Sequence, residues 1–133
     1  VIAEMRQVEA ALAAAAGDDF AAIRKSLSSG VTALEEAVEY IVATYGQDIK
    51  AASVGSVPFL KLLGVVAGGW QMGRAALVSA QRLAEGSGDA GFYQAKITTA
   101  RFYADHVLSQ APGLAYSVVN GASAALALPE EMF

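Results

Sequence analysis

The sequence of 133 residues contains no cysteine, one histidine and one tryptophan, and only 17% of its residues are charged. The lack of cysteine excludes disulfides and thiol catalysis. It is also typical of a reducing cytoplasm, which is the location we expect. No basic run is longer than Arg24–Lys25. Because a nucleic-acid partner needs a cationic surface, the sequence predicts no nucleic-acid binding.

Long apolar runs are scarce as well. A membrane-spanning helix needs about 20 apolar residues, whereas only 12 uncharged residues separate Lys61 from Arg74. The uncharged stretch between Val107 and Pro129 is longer, but it contains Pro112 and several polar or glycine residues. We therefore predict no membrane span, and we interpret that stretch as a buried closing helix.

The length fits one domain, and we expect residues 1–133 to form a single helical-bundle domain. The sequence begins at Val1 without methionine, and its start lacks the charged-then-apolar order of a signal peptide. We therefore expect it to be a C-terminal fragment of a larger chain.

What the sequence does contain is alanine and other hydrophobic residues, which make up 55% of the chain. Alanine is the best helix former, and no run of β-branched residues alternates as a strand would. The sequence predicts an all-α fold, an antiparallel up-and-down bundle of four to five helices. The predicted helices are Ile2–Ala16, Asp19–Tyr45, Asp48–Glu85, Ala90–Ser109 and Leu114–Leu128. We expect aspartates to start three of them, Asp18 or Asp19 the second, Asp48 the third and Asp89 the fourth.

The second predicted helix carries the clearest apolar stripe. Its apolar residues recur every three or four positions, the spacing of a bundle helix: Phe20, Ile23, Leu27, Val31, Leu34, Val38, Ile41 and Tyr45. Ser28, Ser29 and Gly30 weaken the middle of this helix and predict a kink there.

The third predicted helix is rich in small residues. Gly64 with Gly68, and Gly69 with Gly73, form two Gly-x-x-x-Gly pairs, which clear a helix face for close approach of another backbone. Each interior glycine costs about 1 kcal/mol relative to alanine, so close contacts should compensate. Two interpretations stay open: packing inside the bundle, or docking onto another domain or subunit. The predicted core positions of this helix are Ile49, Ala52, Ser56, Phe59, Leu63, Val66, Trp70, Gly73 and Leu77.

Proline and glycine predict where the later helices break or end. Pro58 predicts a kink or a break after Val57, because proline lacks the backbone donor and clashes with the preceding turn. Pro112 and Gly113 are expected to end the fourth helix, and Pro129 to end the last one.

Charged side chains offer three candidate sites, each with a simpler explanation. Lys96 and Arg101 could bind an anion such as a nucleotide phosphate, but residues five apart do not share a helix face, which favours ordinary ion pairs. Glu35, Glu36 and Glu39 have the spacing of metal ligands, yet no Glu-x-x-His motif accompanies them, which favours a solvated face. Asp105 and His106 lack a nucleophile to complete a catalytic triad.

Two segments together resemble a known family. SVGSVPFLKLLGVVAGGWQMGRAAL, Ser53–Leu77, is followed by FYQAKITTARFYADHVL, Phe92–Leu108. The Gly69–Trp70 pair, the Phe92-to-Lys96 spacing and Ala-Arg-Phe-Tyr at 100–103 resemble the C-terminal domain of a bacterial group of acyl-CoA dehydrogenases, the acetyl-CoA dehydrogenase-like C-terminal domain. The resemblance covers roughly residues 48–133.

This resemblance implies a FAD-dependent parent enzyme that converts an acyl-CoA to a 2-enoyl-CoA. In that family, the flavin site and the glutamate base lie in upstream domains, so no catalytic, cofactor or metal residue is assigned here. The resemblance implies an appended bundle that packs against those upstream domains or a neighbouring subunit, within a homo-oligomer. The interface candidates are Gly64, Gly68, Gly69, Trp70, Gly73, Lys96 and Arg101. The alternative is a free-standing helical interaction or dimerisation module.

Overall fold

A computed structural model describes residues 1–133, and helices are its only regular secondary structure. Seven α-helices follow one another, with 3₁₀ turns at Leu108–Gln110 and Glu130–Met132. The α-helices are α1 (Ile2–Ala14), α2 (Asp18–Tyr45), α3 (Ile49–Val54), α4 (Ser56–Glu85), α5 (Ala90–His106), α6 (Ala111–Asn120) and α7 (Ala122–Ala125). The all-α prediction is confirmed. The helices are more numerous than the four to five predicted, because two predicted helices are each divided.

The first division separates α3 from α4 at Gly55, not after Val57 as predicted. Pro58 lies in the first turn of α4, where a missing backbone donor leaves no helical hydrogen bond unmade. At Gly55 a Cβ atom would lie 3.3 Å from Val118, so the break brings α6 close to the backbone.

The second division lies near the end of the chain. The predicted helix Leu114–Leu128 is instead α6 and α7, which meet at Gly121. Pro112 and Gly113 do not end a helix but lie in the first turn of α6. The 3₁₀ turn between α5 and α6 carries Leu108, whose side chain is only 1% exposed. This turn therefore directs a large apolar side chain into the core.

Two aspartates begin helices as predicted. The Asp48 carboxylate accepts a hydrogen bond from the Ala51 amide at 3.0 Å, and Asp89 accepts one from the Gly91 amide at 2.8 Å. Such bonds satisfy amides that have no partner within the helix. Asp18 and Asp19 lie inside the first turn of α2, whose cap is Gly17, and their charge favours the positive end of the helix dipole there.

One continuous core of 20 buried residues runs through the bundle. The predicted stripe of α2 supplies its middle, since Phe20, Ile23, Leu27, Val31 and Leu34 are all buried. The core thins toward one end. Tyr45, Ile49 and Ser56, all predicted to be core, are exposed because they lie where α2 ends and α3 and α4 begin.

Helix α4 has neighbours on several sides. It packs most extensively against α5, and it also contacts α1, α2 and α6. It is the longest helix, with 30 residues, and its glycines face different neighbours. The glycines of α4 are therefore the candidate site.

Candidate functional site: the glycines of α4

The four glycines of α4 have different surroundings. A Cβ atom added at Gly73 would lie 3.2 Å from the side chains of both Val8 and Leu12 of α1, whereas one added at Gly64 would meet nothing within 4 Å. Gly73 thus gives α1 room to approach α4. The exposed Gly64 has room for another chain.

Gly68 accommodates the phenol of Tyr103 from α5. The Tyr103 hydroxyl donates a hydrogen bond to the Val65 carbonyl oxygen at 2.9 Å, and a Cβ atom at Gly68 would overlap that hydroxyl. Burial raises the pKa of Tyr103 above its ordinary value. Because the pKa of Tyr103 is higher in the folded state, its protonated phenol contributes to the stability of the fold at neutral pH. This contribution is lost as the pH rises through the folded-state pKa.

Gly69 lies against Leu108, which is held between two helices. A Cβ atom at Gly69 would lie 2.6 Å from Leu108 Cδ2, and one at Gly30 of α2 would lie 2.8 Å from Leu108 Cδ1. Leu108 therefore fills a space that exists only because both positions are glycine.

Sequence reasoning missed this role of Gly30 and predicted a kink instead. Helix α2 is continuous through Gly30. The sequence did contain a signal for this role, because Gly30 follows Leu27 by three residues and so lies on the apolar side of the helix.

Trp70, the tryptophan of the predicted glycine segment, is partly buried against the core. Its indole Nε1 is buried without a hydrogen-bond acceptor. The Arg74 guanidinium carbon lies 5.7 Å from the ring centroid, within the range of a cation–π contact. Apolar packing and this contact, not a hydrogen bond, hold the ring.

The two basic candidates of α5 have different partners. Arg101 bonds the carboxylates of Asp105 at 2.8 Å and Asp19 at 3.2 Å, which ties α5 to the start of α2. These hydrogen bonds, with that to Asp105 the stronger, raise the pKa of Arg101. Lys96 forms no ion pair, and its ammonium lies 5.2 Å from the Phe92 ring centroid. The structure does not bring Lys96 and Arg101 together.

The other polar candidates are likewise separated. Glu35 accepts a hydrogen bond from Arg6 at 2.7 Å, and no group of three His, Asp or Glu side chains is placed to hold a metal ion. His106 stacks on Phe102 with ring centroids 4.3 Å apart, while Asp105 bonds Arg101. The two members of the conceivable dyad therefore have separate partners.

Arg6 joins α1 to α2 by bonding Glu9 and Glu35, each at 2.7 Å. Burial opposes ionisation of Glu9, but hydrogen bonds from Arg6 and Ser28 outweigh it, so the pKa of Glu9 lies below its ordinary value. A lowered folded-state pKa stabilises the fold above the ordinary carboxyl pKa, and this stabilisation is lost as the pH falls through the lowered value.

We expect Arg6→Met to remove much of this acid dependence and to cost no more than about 1 kcal/mol at neutral pH, since the pair is partly exposed. Urea unfolding from pH 3 to pH 7 measures both effects. Lys50→Met is the matched control, because Lys50 forms no ion pair and is not among the cations that lower the pKa of Glu9. If the free energy of unfolding of Arg6→Met differed between pH 3 and pH 7 as much as that of the native chain does, Arg6 would not be the cause of the lowered pKa of Glu9.

The whole bundle matches a known family. A family model described as "Acetyl-CoA dehydrogenase C-terminal like" matches residues 1–129. The chain belongs to this family. The match begins earlier than the predicted resemblance over residues 48–133, because α1 and the whole of α2 belong to it as well.

A relative supports the same membership. The chain is 46% identical over 86 residues to the 3-methylmercaptopropionyl-CoA dehydrogenase of Ruegeria pomeroyi. The alignment covers 65% of this chain but only 14% of the relative. In the structure, no helix has the length and apolar character needed to cross a membrane.

Proposed function

We propose that this chain is the appended helical domain of a FAD-dependent acyl-CoA dehydrogenase that converts an acyl-CoA to a 2-enoyl-CoA in the cytoplasm. The observation that carries the proposal is the family match over residues 1–129. The relative supports it, because the shared segment is a small part of a much longer dehydrogenase.

In this proposal the domain is structural and not catalytic. The flavin and the base that removes the α-proton belong to upstream domains, and the bundle packs against them or a neighbouring subunit of a homo-oligomer. The contacts of the glycines support the structural role, since side chains of the bundle itself fill the space beside Gly68, Gly69 and Gly73. Glu35 likewise accepts a hydrogen bond from Arg6 of the same bundle.

We further infer that the bundle is antiparallel and runs up and down. Gly30 of α2 approaches Val66 of α4, while Leu27 approaches Gly73. Residue numbers thus rise along one helix as they fall along the other, which supports opposite directions for α2 and α4. The turn at Gly86–Asp89 supports the same relation for α4 and α5, because short connections join antiparallel neighbours.

The test is to express the gene that encodes this chain and purify its full product. We expect a yellow protein with a flavin spectrum that reduces an electron-accepting dye when an acyl-CoA is added. A series of acyl-CoA thioesters, including methylthio-substituted ones, then defines the substrate. A colourless product without dye reduction would contradict the proposal.

The alternative is a free-standing dimerisation module, and the open surface at Gly64 favours it. Gly68→Leu is a poor probe of self-association, because its side chain would strike Tyr103 of the same bundle. Gly64→Leu leaves the bundle intact and changes only the outer surface. A flavin-free gene product whose self-association is altered by Gly64→Leu would favour the alternative.

A further inference from the structure

The outward face of α4 is apolar and uncovered over much of its length. Val57, Leu60 and Val78 are 75%, 70% and 53% exposed, and they lie on the same side of the helix as Gly64. We define Val57, Leu60, Gly64 and Val78 as the α4 outer face. Its length is about 30 Å, given the rise of an α-helix.

A groove between α4 and α5 opens beside one end of this face. Its volume is about 380 Å³. Val78 and the 54%-exposed Phe92 supply apolar walls, and Arg74 and Lys96 supply two positive charges. Neither cation forms an ion pair within the chain; each lies over an aromatic ring instead. The groove therefore suits a partner that presents two negative charges beside apolar side chains.

One segment of this chain has that chemistry. In the segment Pro129–Phe133, which we call the acidic segment, Glu130 and Glu131 form no ion pair. The neighbouring Met132 and Phe133 are 65% and 91% exposed. The charges and the apolar groups of the acidic segment thus complement those of the groove.

The acidic segment of one molecule does not reach the groove of that molecule. Leu126 lies beside Asp48 and Ala51, next to the start of α4. Arg74 lies about 28 Å further along α4 than Gly55, whereas the backbone from Leu126 to Glu131 spans at most about 17 Å. The 3₁₀ turn at Glu130–Met132 shortens it further. A second molecule is therefore needed to bring the two together.

We propose that two copies of this chain pack antiparallel through their α4 outer faces, with each acidic segment seated in the α4–α5 groove of the other copy. An antiparallel arrangement sets the start of one α4 beside the end of the other, so the acidic segment meets the opposite groove at both ends. The two contacts are equivalent by two-fold symmetry. The open position at Gly64 lets the helices approach closely near the middle.

The test uses sedimentation equilibrium of the 133-residue chain from 1 to 200 µM, with helical content checked by circular dichroism. We expect a dimer that weakens as salt rises from 50 to 500 mM, because salt screens exposed ion pairs. Reversing the groove charges (Arg74→Glu with Lys96→Glu) or the segment charges (Glu130→Lys with Glu131→Lys) should each weaken dimerisation by roughly tenfold or more.

The two charge-reversed chains provide a sharper test when they are mixed. In the mixed dimer, a lysine segment meets a glutamate groove at one end and the native pair meets at the other, so we expect dimerisation to return. Arg24→Glu with Lys25→Glu is the matched control, with the same change of charge away from the groove, and it should dimerise as the native chain does.

A native chain that stays monomeric at 200 µM would overturn the proposal and leave the groove to a different partner. Dimers that ignore both charge reversals, or a mixture that fails to restore association, would overturn it too. The proposal does not rest on flavin chemistry. A dimer in a colourless gene product would contradict the dehydrogenase alone, and a monomeric domain in a yellow enzyme would contradict the dimer alone.

Discussion

Replacing Leu108 by alanine is expected to destabilise the chain by about 3 kcal/mol, the usual cost of deleting a fully buried leucine side chain. Leu108 is 1% exposed, and its two methyl groups lie against Gly30 and Gly69. The cavity left behind cannot close easily, because its walls are the backbones of two long helices. Urea unfolding followed by circular dichroism measures the loss.

Leu126→Ala is the matched control for this prediction. Leu126 is 45% exposed, so the same deletion should change stability by no more than about 0.5 kcal/mol. A cost of less than about 1 kcal/mol for Leu108→Ala would show that the 3₁₀ turn does not hold this side chain in the core.

Gly69→Ala and Gly64→Ala are expected to change stability in opposite directions, although both place alanine in the same helix. Alanine improves helix propensity by about 1 kcal/mol at either position. At Gly69 the new methyl group would lie 2.6 Å from Leu108, so overpacking should outweigh this gain by about 1–2 kcal/mol. At Gly64 the new methyl group meets no other atom within 4 Å, so the gain in helix propensity should make this variant more stable than the native chain. Thermal unfolding of both variants checks the signs.

The double variant Gly69→Ala with Leu108→Ala isolates the contact. If the methyl group at position 69 fills part of the space that Leu108 leaves, the double variant should be more stable than the sum of the two single changes predicts. Strict additivity would mean that the two side chains do not compete for the same space.

Much of the fold follows from local signals in the sequence. The apolar stripe of α2 predicted its buried residues from Phe20 to Leu34, because a three-four spacing sets one side of a helix toward the core whatever the neighbour is. Asp48 and Asp89 predicted helix starts, since a capping carboxylate acts on amides two or three residues away. Such signals depend only on residues close in sequence.

Features that depend on distant residues were not predicted. Gly55 divides α3 from α4 beside Val118 of α6, and Gly30 admits Leu108 from a turn far along the chain. A glycine by itself indicates only that space is available, not what fills it. For the same reason the sequence treated Gly64 and Gly68 as a pair, whereas one is open and the other holds a tyrosine hydroxyl.

For the candidate site, the sequence predicted the family but not the ionic partners of its charged side chains. The glycine residues and the paired segments around Trp70 and Phe92 predicted the family, and the match over residues 1–129 bears that out. The roles of Lys96 and Arg101 depended on partners from other helices. Asp19, which holds Arg101, comes from the start of α2, and no spacing within α5 pointed to it.

The central proposal is that this bundle has a structural role in an acyl-CoA dehydrogenase whose flavin site lies outside residues 1–133. Calorimetric titration of FAD, and then of an acyl-CoA, into the purified 133-residue chain tests it most directly, with the flavin content of the full gene product measured alongside. The account predicts no binding heat from the isolated bundle and a full complement of flavin in the full product. Stoichiometric binding of FAD by the isolated bundle would contradict it.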